Sequence, residues 1–302
     1  MTNSLSAEAD RAPISLWADV WHQFCRHLGA LAGVGVLAAL VVIVLVGPYI
    51  WTVSPQLLDI RNANKAMSLL HPLGTDNLGR DTLAQVIAGG RVSLSVGVVA
   101  MLISIVLGTT IGLLAGYFRR LDGPLMRFTD LFLALPLLPL LLVAIMLFRD
   151  ALRGLFGPSM GIFLLIVCVI GITSWMQTAR VVRGEVLAIK GREFVVAAKS
   201  FGTRDYRIML RHILPNVLSP IMVSATLGVA SAIMTESALS FLGLGFPPDF
   251  PTWGRLLYDG ANFMTISPSR VVWPGLAISL TVLSVNFIGD GLRDALDPRL
   301  RQ

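Results

Sequence analysis

The sequence predicts an all-α membrane protein with six transmembrane helices, and three observations carry that prediction. Six uncharged runs are each long enough to cross a bilayer. Hydrophobic residues make up 55% of the chain and charged ones 14%, with a mean hydropathy of +0.74, far from an ordinary soluble domain. The runs also lack the strict apolar/polar alternation of barrel strands, so helices must satisfy their backbone groups in lipid.

Residues 1–27 precede the first run, Leu28–Ile50. At the helical rise that run spans about 34 Å, slightly more than a hydrocarbon core of about 30 Å. It is longer than a signal-peptide core, follows Glu8 and Asp10, and lacks a small-residue cleavage site, so it is expected to stay as an anchor. His22, Cys25 and His27 just before it read either as metal ligands or, better, as an interfacial amphipathic entry. Cys25 and Cys168 form no disulfide framework.

Residues 51–91 form the first outer loop, and a core of five further helices is expected over 92–291. The second run, Leu94–Tyr117, carries Gly108, Gly112 and Gly116 at four-residue spacing, a strip where another backbone can come close. Packing inside this chain is the simpler reading, and a dimer-specific role is the alternative. Pro136 and Pro139 should kink the third run, Leu131–Phe148, either to line a pathway or merely to bend a helix. The fourth run is Met160–Met176, the fifth Pro215–Thr235 and the sixth Val271–Ile288, with residues 292–302 as a tail. Glu236 follows the fifth run closely; it faces a substrate path or reaches water as an interfacial carboxylate.

The segment Arg192–Pro215, REFVVAAKSFGTRDYRIMLRHILP, differs from everything around it. Phe194, Ala197, Ala198 and Phe201 recur at helical spacing on one face, with two alanines leaving room for another protein surface. Gly202 should end that helix, because glycine takes the left-handed conformation without strain. Thr203 is the expected N-cap of a second short helix, and Pro215 fits the first turn of the next run. The segment reads as a docking element between two spans.

Its side of the membrane follows from basic residues. Arg180, Arg183, Lys190, Arg192, Lys199, Arg204, Arg207 and Arg211 all lie in the loop 178–214. With the N-terminus inside, 16 of the 24 Lys and Arg fall on the cytoplasmic side. Both termini and the docking element are therefore expected there. The net charge of +6 reflects this topology and gives no case for nucleic-acid binding. No H-E-x-x-H, G-x-S-x-G or P-loop pattern occurs, and no paired catalytic groups lie within the runs, so protease, ATPase and other enzyme readings lack their chemistry. A channel reading lacks a repeated filter-like segment.

Ala197-Ala198, Gly202 and Leu214-Pro215 resemble the cytoplasmic EAA loop of bacterial ABC importer permeases, with Val196 in place of the motif's glutamate and His212 in place of its isoleucine. HPLGTDNLGRD (His71–Asp81), SALSFLGLGFPPDFPTWG (Ser237–Gly254) and GDGLRDALDPRLR (Gly289–Arg301) resemble the C-type permease of dipeptide, oligopeptide and nickel importers. The resemblance runs from the first span to the C-terminus. It implies a type I ABC importer permease (MetI-like) fold in a bacterial inner membrane.

The resemblance also implies partners: a homologous second permease, two cytoplasmic ABC ATPases and an extracytoplasmic solute-binding protein. This chain would bind no cofactor, and ATP and Mg would belong to the ATPases. Glu193, Phe194, Ala197, Ala198, Phe201, Gly202 and Asp205 would form the ATPase-coupling contact. The outer loop with Pro247, Pro248 and Trp253 would touch the binding protein, cover the outer gate or act as a structural lid, and Glu236 is the candidate on the substrate path. Di- or oligopeptides are the commonest implied cargo, with nickel, opines, glutathione and sugars as alternatives.

Overall fold

The computed structural model describes residues 16–296. The remaining parts of the N-terminal segment (1–15) and of the tail (297–302) lie outside the described residues, as does the end of the Gly289–Arg301 match.

The first described element, α1 (Leu16–Arg26), is a short amphipathic helix that buries Val20 and Phe24 against Ala30 and Ala295 and exposes Trp21. Its amphipathic character agrees with the amphipathic entry expected before the first span. His27 then caps α2 (Leu28–Ile50), its Nδ1 accepting the Ala30 N–H at 3.0 Å, and its Nε2 lies 3.7 Å from Asp294.

The centre of the bundle is α3 (Thr82–Tyr117) crossing α6 (Pro158–Ile189). The glycine strip explains how closely they approach. A Cβ at Gly108 would stand 2.7 Å from the Trp175 carbonyl, one at Gly112 2.7 Å from the Ala179 carbonyl, and one at Gly116 2.6 Å from Val186 Cβ. The strip therefore serves packing within this chain. In its most apolar window α6 is 61% buried against 17% for α2, which puts α6 at the core and α2 at the edge. Arg91 fastens α2 to α3 by donating to the Val44 and Leu45 carbonyls at 2.9 and 3.0 Å.

The third span is not one kinked helix. The chain forms α4 (Arg119–Ala134) and α5 (Leu137–Phe156), which meet at 89°. Pro136 is the N-cap of α5 and Pro139 falls in its first turn, where backbone N–H groups have no intrahelical acceptor. Both prolines are thus accommodated by starting a helix rather than by bending one. Amphipathic α4 is tied to α6 by the bidentate Arg183–Asp122 pair, whose Nη2–Oδ2 distance is 2.9 Å, and by Arg180–Asp130.

The second, fourth and sixth spans extend beyond their apolar runs. Helix α3 begins at Thr82, α6 continues to Ile189, and α11 covers Ser269–Leu296. After α7 (Glu193–Ser200), α8 (Asp205–Ile208) passes through a wide π-type turn at Met209–Ile213 and a tight turn at Leu214–Val217 into α9 (Leu218–Phe241). Pro215 sits at the start of that tight turn. Among the described residues five helices are long and apolar enough to cross a membrane, and the α4–α5 pair makes a sixth if its two bent halves count as one span.

On the face opposite α7, residues 51–81 and 242–252 form a knitted cap before α3 and α10 (Trp253–Ala261). Asp81 caps α3 through the Ala84 N–H at 2.8 Å and also accepts from Trp51 Nε1 at 3.0 Å, while His71 Nδ1 lies 2.9 Å from its other oxygen. Asp76 gathers the Leu78 and Arg80 N–H groups, the Arg80 guanidinium and Gln85. Gly79 has φ of +77° and packs so tightly on Asp59 that no Cβ fits. The HPLGTDNLGRD stretch is the structural hub of this cap.

Candidate functional site

Helix α7 lies across the ends of α3, α6 and the α8–α9 segment. Its Val195 is buried with Ile208, Ile213 and Val217 against Leu113, Val182, Val186 and Ile189. Two polar clamps hold the segment down. Lys190 Nζ donates to the Gly116 carbonyl at 2.8 Å, and the Tyr117 hydroxyl donates to Asp205 Oδ1 at 2.6 Å. Both acceptor–donor partners on the bundle side are the last two residues of α3.

Gly202 ends α7 as the sequence requires, with φ of +73°. The Thr203 N–H bonds the Ala198 carbonyl at 3.1 Å and the Gly202 N–H bonds that of Lys199 at 3.0 Å, which is a Schellman closure. Nothing lies within 4 Å of a Cβ built at Gly202, so glycine is needed for its dihedral angle and not for space. Thr203 does not cap the next helix. Its backbone is committed to the closure, and the N-cap of α8 falls one residue later, at Arg204, with no side-chain cap bond.

The apolar stripe is divided by the structure. Ala198 turns inward and packs beside Val195, whereas Phe194, Ala197 and Phe201 face out, Phe201 being 89% exposed. Glu193 and Asp205 are also exposed. Exposed Val196, Tyr206 and Leu210 enlarge the outward apolar surface. Sequence reasoning missed Val195, Tyr117 and Lys190. Val195 could have been found from its match to Ile208 and Ile213, which repeat on the adjoining segment; Tyr117 read only as the end of a span.

Glu236 lies inside the protein on α9, fully buried, accepting from Ser93 at 3.1 Å and Ser240 at 2.8 Å. In this structure it is a carboxylate enclosed by serines rather than an interfacial group reaching water. Trp253 is buried beside it. Its backbone N–H donates to Ser93 Oγ at 3.2 Å and its indole to the Val86 carbonyl at 2.9 Å, the packing of a structural lid. Pro247 is half-buried and Pro248 exposed, with the Pro248–Asp249 backbone accepting from Arg80 and Gln56. Among the described residues no group of His, Cys, Asp and Glu is arranged to hold a metal.

The model of the binding-protein-dependent transport system inner membrane component matches residues 108–302, and that of the N-terminal transmembrane domain of oligopeptide transport permease C matches residues 15–72. The chain belongs to the binding-protein-dependent transport permease family. It is 37% identical to a dipeptide transport system permease of Alkalihalophilus pseudofirmus, over 99% of this chain and 95% of that one. Identity is 40% to an oligopeptide transport system permease of Haemophilus influenzae, over 95% and 90% of the two chains. A glutathione transport system permease of Pectobacterium atrosepticum is 37% identical over 100% of this chain and 97% of its own. Among solved structures, the inward-facing MetNI methionine ABC transporter aligns with a TM-score of 0.54 at 17% identity, covering 70% of this chain and 97% of that chain. That likeness establishes the MetI-like type I importer permease fold. The protein is a transport subunit and not an enzyme.

Proposed function

We propose that this permease forms half of the translocation path of a peptide importer, and that α7 transmits ATPase closure to it. The observation that carries the reading is the joint between α7 and the bundle. A helix with an uncovered apolar outer face is closed by Gly202 and pinned by Tyr117 and Lys190 to the end of α3. A push on Phe194, Ala197 and Phe201 is thus delivered to the helix that crosses α6 at the core.

Two partner ATPases hold the ATP and Mg, and a homologous second permease supplies the other half of the path. Closure of the ATPase dimer shifts the paired permeases between inward- and outward-facing states, provided that it binds the two states with different affinity. The excess of Lys and Arg supports a cytoplasmic side for α7 and both termini. The cap containing Pro247, Pro248 and Asp249 then faces the solute-binding protein. Peptide cargo is supported by the names of relatives that match nearly the whole chain, and the glutathione permease among them fits a small peptide path as well.

Reconstitution of this permease with its second permease, ATPases and binding protein tests the proposal. Labelled di- and tripeptides should accumulate with ATP, and omission of the second permease should abolish uptake. Transport by this permease with the ATPases alone would overturn the pairing.

A further inference from the structure

Two cavities open on one face of the span α9 and share Leu137, Leu227 and Ser231. Their volumes are about 350 and 460 Å³. Together they form one groove from Ser224 to Ala238, about 21 Å at the helical rise and so most of a hydrocarbon core about 30 Å thick. The α4–α5 break shapes one wall, where Leu135 and Leu137 flank Pro136 and both face the groove.

No Asp, Glu, Lys or Arg lines either cavity. Aliphatic side chains alternate instead with the hydroxyls of Ser224 and Ser231 and the carboxamides of Gln177 and Asn286. Thr173, Ser174 and Thr235 return their hydroxyls to carbonyls of their own helices, the ordinary solution in an apolar setting. Gln177 and Asn286 have no such recourse: among the described residues their amides bond to no protein group. Gln177 is exposed and Asn286 half-buried, so both amides are open to water or a polar guest. A carboxamide offers the donor and acceptor that a peptide bond complements. A path must also release what it admits, and an uncharged wall avoids strong pairing with a passing ion.

We propose that this groove is the permease's wall of the translocation path, taking the backbone of a hydrated peptide through amide and hydroxyl contacts without pairing to its charged side chains. The inference rests on the peptide-import reading and names the surface that serves it.

The test uses the assembled four-component transporter in proteoliposomes, with Cys25 and Cys168 replaced by serine. Ser231→Cys should react with a small charged thiosulfonate at least tenfold faster than Val106→Cys on the exposed apolar face of α3, and labelling should cut peptide uptake at least fivefold. Ser231→Lys should depress uptake of a lysyl dipeptide at least fivefold more than that of a glutamyl dipeptide, and Ser231→Asp should do the reverse. Labelling as slow as at Val106→Cys in a transporter that imports peptides would overturn the groove while leaving the cargo reading intact. Loss of the second permease from purified Ser231→Lys complexes would likewise overturn it, showing a helix-pairing face. A wild-type assembly that imports no peptide would overturn the peptide clause and the cargo reading together, whatever the labelling shows.

Discussion

The hydroxyl of Tyr117, the last residue of α3, donates a 2.6 Å hydrogen bond to Asp205 at the start of α8. One residue earlier, the Gly116 carbonyl receives Lys190. The loop that would meet the ATPases is therefore fixed at both its ends to one helix terminus. Tyr117→Phe deletes the hydroxyl with almost no change in shape, and the lost bond to a charged group is worth at most about 1.5–3 kcal/mol, less at this solvent-exposed site. Tryptic cleavage between Lys190 and Arg211 should speed up several-fold while the amount of permease in the membrane stays constant. An unchanged cleavage rate would mean that the clamp does not restrain the loop.

The glycine strip makes a prediction about assembly of the bundle itself. Gly112→Val forces a side chain into the Ala179 carbonyl and Val182, and overpacking of this kind costs about 1–3 kcal/mol. Gly184, also helical but with nothing within 4 Å of a Cβ, should accept alanine freely. Thermal unfolding in detergent should separate the two variants, with a lower midpoint for Gly112→Val only. Equal midpoints would contradict the close α3–α6 approach.

Much of this was legible because single residues carry it. Gly202 had to sit at positive φ wherever a helix of that pattern ended, and three glycines at four-residue spacing had to meet a backbone. The broken third span was not legible: Pro136 and Pro139 fit a kinked helix as well as a helix start, and only the packing of α4 on α6 through Asp122 and Asp130 decides between them. The burial of Trp253 and Glu236 was not legible either. Trp253 reads as a loop residue until it packs on Val44, Val86 and Ala277 of three separate helices, and Glu236 reads as a span-end carboxylate until Ser93 of α3 comes up beside it. The inward turn of Ala198 depends on Val195, one position off the stripe that helical spacing selects.

The enclosure of Glu236 can be checked by substitution. Glu236→Leu leaves the hydroxyls of Ser93 and Ser240 without their acceptor, and an unsatisfied buried group costs about 1–3 kcal/mol. Glu236→Gln keeps an acceptor and should lower the thermal midpoint less. If Glu236→Gln instead alters the apparent affinity for cargo at full stability, the residue belongs to the path after all.

Membrane sidedness has its own test. In a cysteine-free background Asp249→Cys should react with an impermeant thiol reagent in spheroplasts, and Ser200→Cys should react only after the membrane is opened. Both positions are exposed. The reverse pattern would place α7 outside and remove it from any ATPase.

The outward face of α7 is where the coupling account is most directly tested. Ala197→Glu puts a charge into the surface between Phe194 and Phe201, where burial against a partner would leave it unpaired and costly. Unlike Ala198, Ala197 is exposed in the permease, so the bundle should fold normally. The decisive measurement is cargo-stimulated ATP hydrolysis by the assembled transporter carrying Ala197→Glu. The account predicts that stimulation falls at least tenfold while the second permease still co-purifies; wild-type stimulation would contradict it.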